Sequence, residues 1–301
     1  MPRKSSRRRA NRSAVAHIDP ASVPDFLRVS RDDLRLMAQG KVEQIKEYFR
    51  RSSFGKAVIG LSGGIDSAVS AALAVRALGP ENVIVLMLPC GQAHESVAVA
   101  TEVADDLGIP KANRHLINIA FAVDASYKLA AAKLGERGDI QLQRGNMAAR
   151  ERMKQLMHAA TVCEALLLGT ENRTEEELAY YTIGGDQVSS LEPIHDLYKC
   201  QVYQLGLALK LPQSVLLRAP TAELWGGQTD EGELGVSYAA IDTVLAGLAI
   251  RGLSAKELAD QYDVPAEVTA RVMNRCQAVT GKRQAPHHLP AWRESAVQKI
   301  A

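Results

Sequence analysis

Short, wholly apolar runs alternate with longer stretches in which apolar residues recur every three or four positions, and this alternation sets the expected fold. The runs AVIGL (57–61) and VIVLML (83–88) read as short strands buried on both faces, and HLINI (115–119) and ALLLG (165–169) as a third and a fourth strand. Between them lie helical patterns. Leu34, Met37, Val42, Ile45 and Phe49 share one face of a helix starting near residue 32. Residues 67–79 form an Ala-rich helix closed by Gly79 and Pro80, residues 95–108 a helix ended by Gly108 and Pro110, and residues 147–164 a long amphipathic helix. Strands that alternate with helices of this length predict an α/β fold, a parallel sheet sandwiched by helices in Rossmann-like fashion. Beyond Leu191 the pattern turns helical, over 197–210, near 237–249, and over 254–262 and 265–279, which predicts a helical C-terminal part.

Composition narrows the picture. A chain of 301 residues, 47% of them hydrophobic, suits one large soluble domain. The net charge of +2 makes no case for nucleic acid, and no apolar run has the length of a bilayer span. Cys90, Cys163, Cys200 and Cys276 form no C-x-x-C pair, so buried thiols in a reducing cytoplasm are expected rather than zinc or disulfides. Residues 1–16 carry Arg3, Lys4, Arg7, Arg8, Arg9 and Arg12 with no acid. They are expected to be a disordered, solvated tail, and loose phosphate contact is the functional alternative. The expected division is a basic tail over 1–22 and a single domain over 23–301. His287 and His288 have no neighbouring ligands in the sequence, so no metal role is expected of them.

The first strand runs straight into Ser62-Gly63-Gly64-Ile65-Asp66-Ser67, which opens a helix. A helix N-terminus presents unpaired N–H groups and the positive end of the dipole, and glycines let backbone approach an anion. With hydroxyls from Ser62 and Ser67, the segment reads as a phosphate cradle. It is neither a G-x-x-x-x-G-K-S/T loop nor a G-x-G-x-x-G fingerprint. Asp66 would repel phosphate unless a cation lay between them, which points to a nucleotide carried with Mg²⁺.

S-G-G-x-D-S after a first strand resembles the pyrophosphate loop of the ATP-pyrophosphatase superfamily, the adenine nucleotide alpha hydrolase-like fold. Later segments resemble the ammonia-dependent NAD synthetases within it. Residues 144–153 resemble K-G-N-x-x-A-R-x-R-M, and residues 168–175 resemble L-G-T-x-N/H-x-S/A-E. Residues 197–202 resemble L-x-K-x-Q-V. Residues 220–224 and 228–238 resemble P-T-A-D/E-L followed by Q-S/T-D-E-x-E-L-G-x-x-Y, and Lys282-Arg283 with Pro286 resembles the closing H-K-R-x-x-P. The resemblance covers about residues 32–295. It implies ATP-dependent amidation of deamido-NAD (nicotinate adenine dinucleotide) by ammonia through an adenylated carboxylate, giving NAD, AMP and pyrophosphate.

The resemblance also implies roles, residue by residue. Ser62, Gly63, Gly64, Ile65, Asp66, Ser67, Thr170, Lys199 and Thr221 would bind ATP and its pyrophosphate. Asp66, Arg150 and Lys199 would be catalytic, and Asp66 with Glu175 would hold Mg²⁺. Arg144, Asn146, Arg150, Asp186, Glu233, Lys282 and Arg283 would bind deamido-NAD. Without the motif, Arg150 and Arg152 read as solvated helix-face arginines, and Glu175, in the run Glu175-Glu176-Glu177, as a solvated charge. Tyr180 and Tyr181 are expected to pack rather than stack on a nucleotide. The family's habit of building its acceptor site between subunits implies a homodimer.

Several positions break the pattern. The Y-G-D-G-G stretch reads Gly184-Gly185-Asp186-Gln187-Val188, with Ser190 for a later aspartate and Ile183 for a lysine; Leu142 replaces an aromatic and Gly281 a histidine. All fall in the acceptor half, so another carboxylate, such as nicotinate mononucleotide, stays open as the substrate. The 61 residues ahead of Ser62 hold no cysteine, so free ammonia is the expected nitrogen source, with a separate glutaminase subunit as the alternative. Two further readings are a tRNA-modifying ATP-pyrophosphatase, toward which the basic tail points, and a non-catalytic nucleotide-binding homologue, against which Asp66, Arg150, Glu175 and Lys199 stand.

Overall fold

A computed structural model describes residue 18, residues 23–223 and residues 227–283. Apart from Ile18, the basic tail over 1–22 lies outside the described residues, as do Leu224, Pro286, His287 and His288.

The four apolar runs form one all-parallel sheet. Its strands are β1 (Lys56–Gly60), β2 (Val83–Met87), β3 (Arg114–Leu116) and β4 (Ala165–Leu168), in spatial order β3-β2-β1-β4. Register is set by Ala57 opposite Val83 and Leu166, and by Val85 opposite Arg114. Side chains alternate between faces. Ala57 and Ile59 of β1, and Val83, Val85 and Met87 of β2, belong to one buried cluster, while Val58, Ile84 and Leu86 belong to another. Both faces of β1 and β2 are therefore covered, which is why these two read as continuous apolar runs, whereas β3 at the sheet edge leaves Leu116 exposed.

The first face is covered by α1 (Arg31–Arg51), α2 (Ile65–Leu78), α3 (His94–Asp106) and, from the C-terminal half, α7 (Lys199–Leu209) and α10 (Tyr238–Ala249). The second face is covered by α4 (Ala120–Leu134) and α5 (Ile140–Val162), through Val123, Ala148, Met153 and Leu156. A short helix, α6 (Arg173–Leu178), follows β4. The remaining helices are α8 (Gln213–Leu216), α9 (Asp230–Leu234), α11 (Ala255–Tyr262), α12 (Ala266–Ala278) and α13 (Thr280–Arg283). No helix among the described residues is long and apolar enough to cross a membrane.

Two expectations need adjustment. Helix α4 has no amphipathic period to announce it: Val123 and Tyr127 are buried while Phe121, Leu129 and Leu134 face solvent. Helix α5 starts at Ile140 rather than near residue 147, capped by Asp139, whose side chain accepts from Leu142 N.

Chain order along the sheet places the site. From β1 the chain moves outward to β2 and β3, then crosses back to lay β4 on the other side of β1. The β1–β4 boundary is thus the point where strand order reverses, and open α/β sheets bind ligands beside the C-terminal strand ends there.

Candidate active site

A cavity of about 570 Å³ lies at that reversal, a size that suits a small-molecule site. Its floor is the loop after β1. Gly63 has φ +80°, and a Cβ there would come within 2.7 Å of the Ser96 backbone oxygen, so only glycine fits this turn. Ser62 Oγ lies 3.0 Å from Ser67 Oγ, and Ser67 Oγ donates to Gly64 O at 3.0 Å, which ties the loop onto the first turn of α2. Gly64, the N-cap, supplies no side-chain cap, so the N–H groups at the start of α2 remain open to an anion.

One wall carries charge. Lys199, 2% exposed, donates to Asp66 Oδ2 at 2.5 Å and to Glu175 Oε1 at 3.0 Å. Its ammonium also lies 4.9 Å from the Tyr238 ring centroid. Burial opposes the lysine charge, but Asp66 and Glu175 outweigh it and hold Lys199 protonated. Burial pushes Glu175 up to about 8 against the pull of Lys199. Asn172, fully buried, links this group to α6. Its Nδ2 donates to Asp66 Oδ1 at 2.8 Å while its Oδ1 accepts from Glu175 N, one half of a capping box that Glu175 completes. Glu175 is therefore both a helix cap and a site carboxylate. Lys199 N donates to Thr174 Oγ1, Thr174 Oγ1 to Asp242 Oδ1 at 2.6 Å, and Cys200 N to Asp242 Oδ2 at 2.7 Å, so buried Asp242 fixes the start of α7 and with it Lys199.

The far wall comes from α9 and the segment after α6. Tyr180 OH donates to Glu233 Oε2 at 2.8 Å, and Gln228 Nε2 to the same oxygen at 2.9 Å. Buried Asp230 accepts from Tyr180 OH, Tyr238 OH and Ala222 N. Asp186 accepts from Thr182 N at 2.7 Å, and burial raises its pKa. Lys282 Nζ donates to Ala179 O at 2.7 Å and to Tyr181 O, over the Tyr181 ring.

Of the candidates read from the sequence, Ser62, Gly64, Ile65, Asp66, Ser67, Thr170, Glu175, Lys199 and Thr221 line this one cavity. So do Asn146, Asp186, Glu233 and Lys282. Gly63 shapes the loop without lining the cavity. Arg144, Arg150 and Arg283 are not brought in. Arg144 pairs with Asp124 and stacks on Tyr127; Arg150 is exposed and donates to Ile183 O at 3.1 Å; Arg283 faces Glu176 at 3.5 Å. The cavity wall on α5 is the stripe Leu142, Asn146, Ala149, Arg152, Met153 and Leu156, spaced as one helix face, and Arg150 is off that stripe. Arg152, which reads from the sequence as a solvated helix-face arginine, instead lines the cavity, as do Arg218 and Arg275, which the sequence does not mark. Arg152 donates to Leu88 O and Glu223 O, and Arg218 reaches Ser62 O at 3.5 Å while pairing with Glu223.

Comparison with known proteins settles the lineage. The NAD synthase family model matches residues 37–286. The chain belongs to the NAD synthase family. Among family members, it is 38% identical over 247 residues to the NH(3)-dependent NAD(+) synthetase of Fusobacterium nucleatum, covering 81% of this chain and 92% of that protein. Two solved structures share the fold. One is the NMN synthetase from Francisella tularensis, at 31% identity and TM-score 0.73, covering 86% of this chain and 99% of that one. The other is the NH3-dependent NAD synthetase from Campylobacter jejuni, at 29% identity and TM-score 0.70, covering 86% and 100%. The expected α/β architecture stands: a parallel sheet between helical layers, as in these NAD synthase structures.

Glu171, next to Thr170, is a further buried acid of the cavity. Burial, reinforced by Glu175 and Glu192, pushes it from 4.5 up to about 9. Between those values the folded state holds a proton that the unfolded chain has lost, so folding stability falls as pH rises through this window. The Glu171→Gln variant is expected to flatten that fall, by at most about 1.4 kcal/mol per pH unit. Thermal melts of both proteins from acid to alkaline pH check this, and parallel curves would contradict it.

Proposed function

We propose that this chain forms NAD from deamido-NAD, ATP and ammonia, releasing AMP and pyrophosphate. One observation carries the reading. In a member of the NAD synthase family, the open N-terminus of α2 and the Asp66–Lys199–Glu175 group share one cavity at the strand-order reversal. A carboxylate is a poor electrophile, and adenylation gives it a good leaving group. The N–H groups at the start of α2, with Ser62 and Ser67, would grip the pyrophosphate portion. Lys199, Arg218 and Arg152 would stabilise negative charge as the acceptor carboxylate attacks the α-phosphorus. Thr170 and Thr221 offer hydroxyls to the nucleotide, and Asn146, Asp186, Glu233 and Lys282 line the space left for the acceptor. Arg144, Arg150 and Arg283 would act, if at all, from outside this cavity.

Mg²⁺ fits the donor set. Asp66 and Glu175 converge on one ammonium, and two carboxylates with phosphate oxygens are an ordinary magnesium environment. The ion would neutralise phosphate charge. We also infer one catalytic domain over 23–301 and a cytoplasmic setting, which suits four free thiols.

The Francisella NMN synthetase supports a second reading, with nicotinate mononucleotide as acceptor. Leu142 and Val188 on the cavity wall depart from the family pattern in that half. Product analysis with each acceptor, ATP and ammonium distinguishes the readings. Equimolar NAD, AMP and pyrophosphate supports the first, turnover of the mononucleotide alone supports the second, and turnover of neither contradicts both.

A homodimer follows from the same reading. Helix α4 shows Phe121 (86% exposed), Leu129 and Leu134 to solvent beside the end of α5 that carries Leu142, more apolar surface than a monomer's helix ordinarily leaves bare. Sedimentation should give a dimer, and the double variant Phe121→Glu, Leu129→Glu a monomer. A fully active monomeric wild type would contradict this.

A further inference from the structure

We propose that Glu171, held in place by Glu192, captures ammonium and takes its proton before attack on the adenylate, a role that rests on the amidation reading above. Glu171 follows Thr170 at the C-terminal end of β4 and lines the cavity. It is only 8% exposed, and its Oε1 has no hydrogen-bond partner among the described residues. A buried carboxylate oxygen with no donor is costly unless a ligand supplies one.

Glu192 is locked behind it. Glu171 N donates to Glu192 Oε2 at 3.0 Å, and Ser189 Oγ donates to Glu192 Oε1 at 2.6 Å. Gly169 makes this possible, because a Cβ there would meet Glu192 Oε1 at 1.8 Å. The charged groups facing Glu171 are mostly acids: Glu175 and Glu176 from α6, and Asp186 and Glu192 from the segment before α7. The cation on that side is Lys282 of α13, whose ammonium already donates to Ala179 O and Tyr181 O. Lys199 is held by Asp66 and Glu175. The site thus has negative charge and a free acceptor oxygen but lacks a donor, which suits a small cation rich in N–H groups. Burial brings Glu171 to about 9, between the ordinary values of an α-amine and a lysine, so the empty site holds it protonated near neutral pH; a bound ammonium displaces that proton to water, and a proton then passes between ammonium and this carboxylate with little penalty.

The step balances. As ammonium binds, Glu171 releases its own proton to water; ammonium then gives one proton to Glu171 Oε1 and becomes ammonia. The freed nitrogen lone pair attacks the acyl carbon, and the C–N bond forms. The bond from that carbon to the AMP oxygen breaks, with its electron pair leaving on AMP. The nitrogen sheds one more proton to water to give the amide, and Glu171 is left protonated, as it began.

The test separates the two half-reactions in Glu171→Gln. Acceptor-dependent exchange of pyrophosphate into ATP, measured without ammonium, reads adenylation alone and should stay within about twofold of wild type, because the proposed acid–base role belongs only to the second half. Turnover with ammonium should fall about 100-fold or more. Hydroxamate formation from hydroxylamine, largely unprotonated at neutral pH, should survive. Glu192→Gln, which keeps an acceptor for Glu171 N, should show the same pattern more weakly. Unchanged ammonium kinetics in Glu171→Gln, or equal loss with ammonium and hydroxylamine, would overturn the assignment while leaving the amidation reading intact. Absence of exchange in the wild type with either acceptor would overturn both.

Discussion

Replacing Lys199 by methionine is expected to abolish turnover and to destabilise the fold by about 3–5 kcal/mol. The lysine is 2% exposed and compensates two carboxylates at once, Asp66 at 2.5 Å and Glu175 at 3.0 Å. Methionine fills a similar volume, so the loss is electrostatic rather than a cavity. Without the ammonium, both acids would lie half-buried beside each other with, among the described residues, Asn172 left to donate to them from its side chain and backbone. Glu175, already raised by burial to about 8, would lose the downward pull of Lys199 and rise further above its unfolded value, so acidification should return part of the lost stability as it takes up a proton. Denaturant melts at mildly acid and mildly alkaline pH, with pyrophosphate release measured alongside, read both effects. A variant as stable as wild type at alkaline pH, or one that retained activity within tenfold, would contradict the role given to Lys199.

Asp66→Asn and Glu175→Gln are expected to lose Mg²⁺-dependent turnover by at least about a thousandfold while staying folded. Asparagine at 66 keeps an oxygen for Asn172 Nδ2 or for Lys199, and glutamine at 175 keeps the capping box, because Gln serves at that position as Glu does. Each therefore removes charge and leaves shape. A helical spectrum and melting curve close to wild type, with turnover gone at all Mg²⁺ concentrations, is the expected pair of results. Near-normal activity in both would defeat the metal assignment.

Much of this site was legible in the sequence because it depends on local order. Three apolar runs, AVIGL, VIVLML and ALLLG, mark strands β1, β2 and β4, and S-G-G-I-D-S has a strand before it and a helix after it, so its meaning is set within a few residues. Arg150 shows where local reading ends. It and Arg152 share a motif, but two helix positions place them on different faces, and only the phase set by Ala149, Met153 and Leu156 against the sheet shows which one turns inward. Glu171 was invisible for a different reason. Its raised pKa comes from burial and from neighbouring acids that include Glu192 and Asp186, and nothing in T-E-N-R-T-E announces those two. Arg218, in the bend after α8, and Arg275, on α12, reach the cavity from far along the chain. Helix α4 escaped because its apolar residues surround the helix instead of forming a stripe, the same property that leaves Phe121, Leu129 and Leu134 exposed.

The central claim is that the acceptor carboxylate is adenylated before nitrogen attacks, and heavy-oxygen transfer tests it most directly. Deamido-NAD labelled with heavy oxygen in its carboxylate, turned over with ATP, Mg²⁺ and ammonium, should pass a single heavy oxygen to AMP and leave pyrophosphate unlabelled. Unlabelled AMP, or label appearing in inorganic phosphate, would show that the α-phosphorus never bonded to the acceptor and would contradict the account.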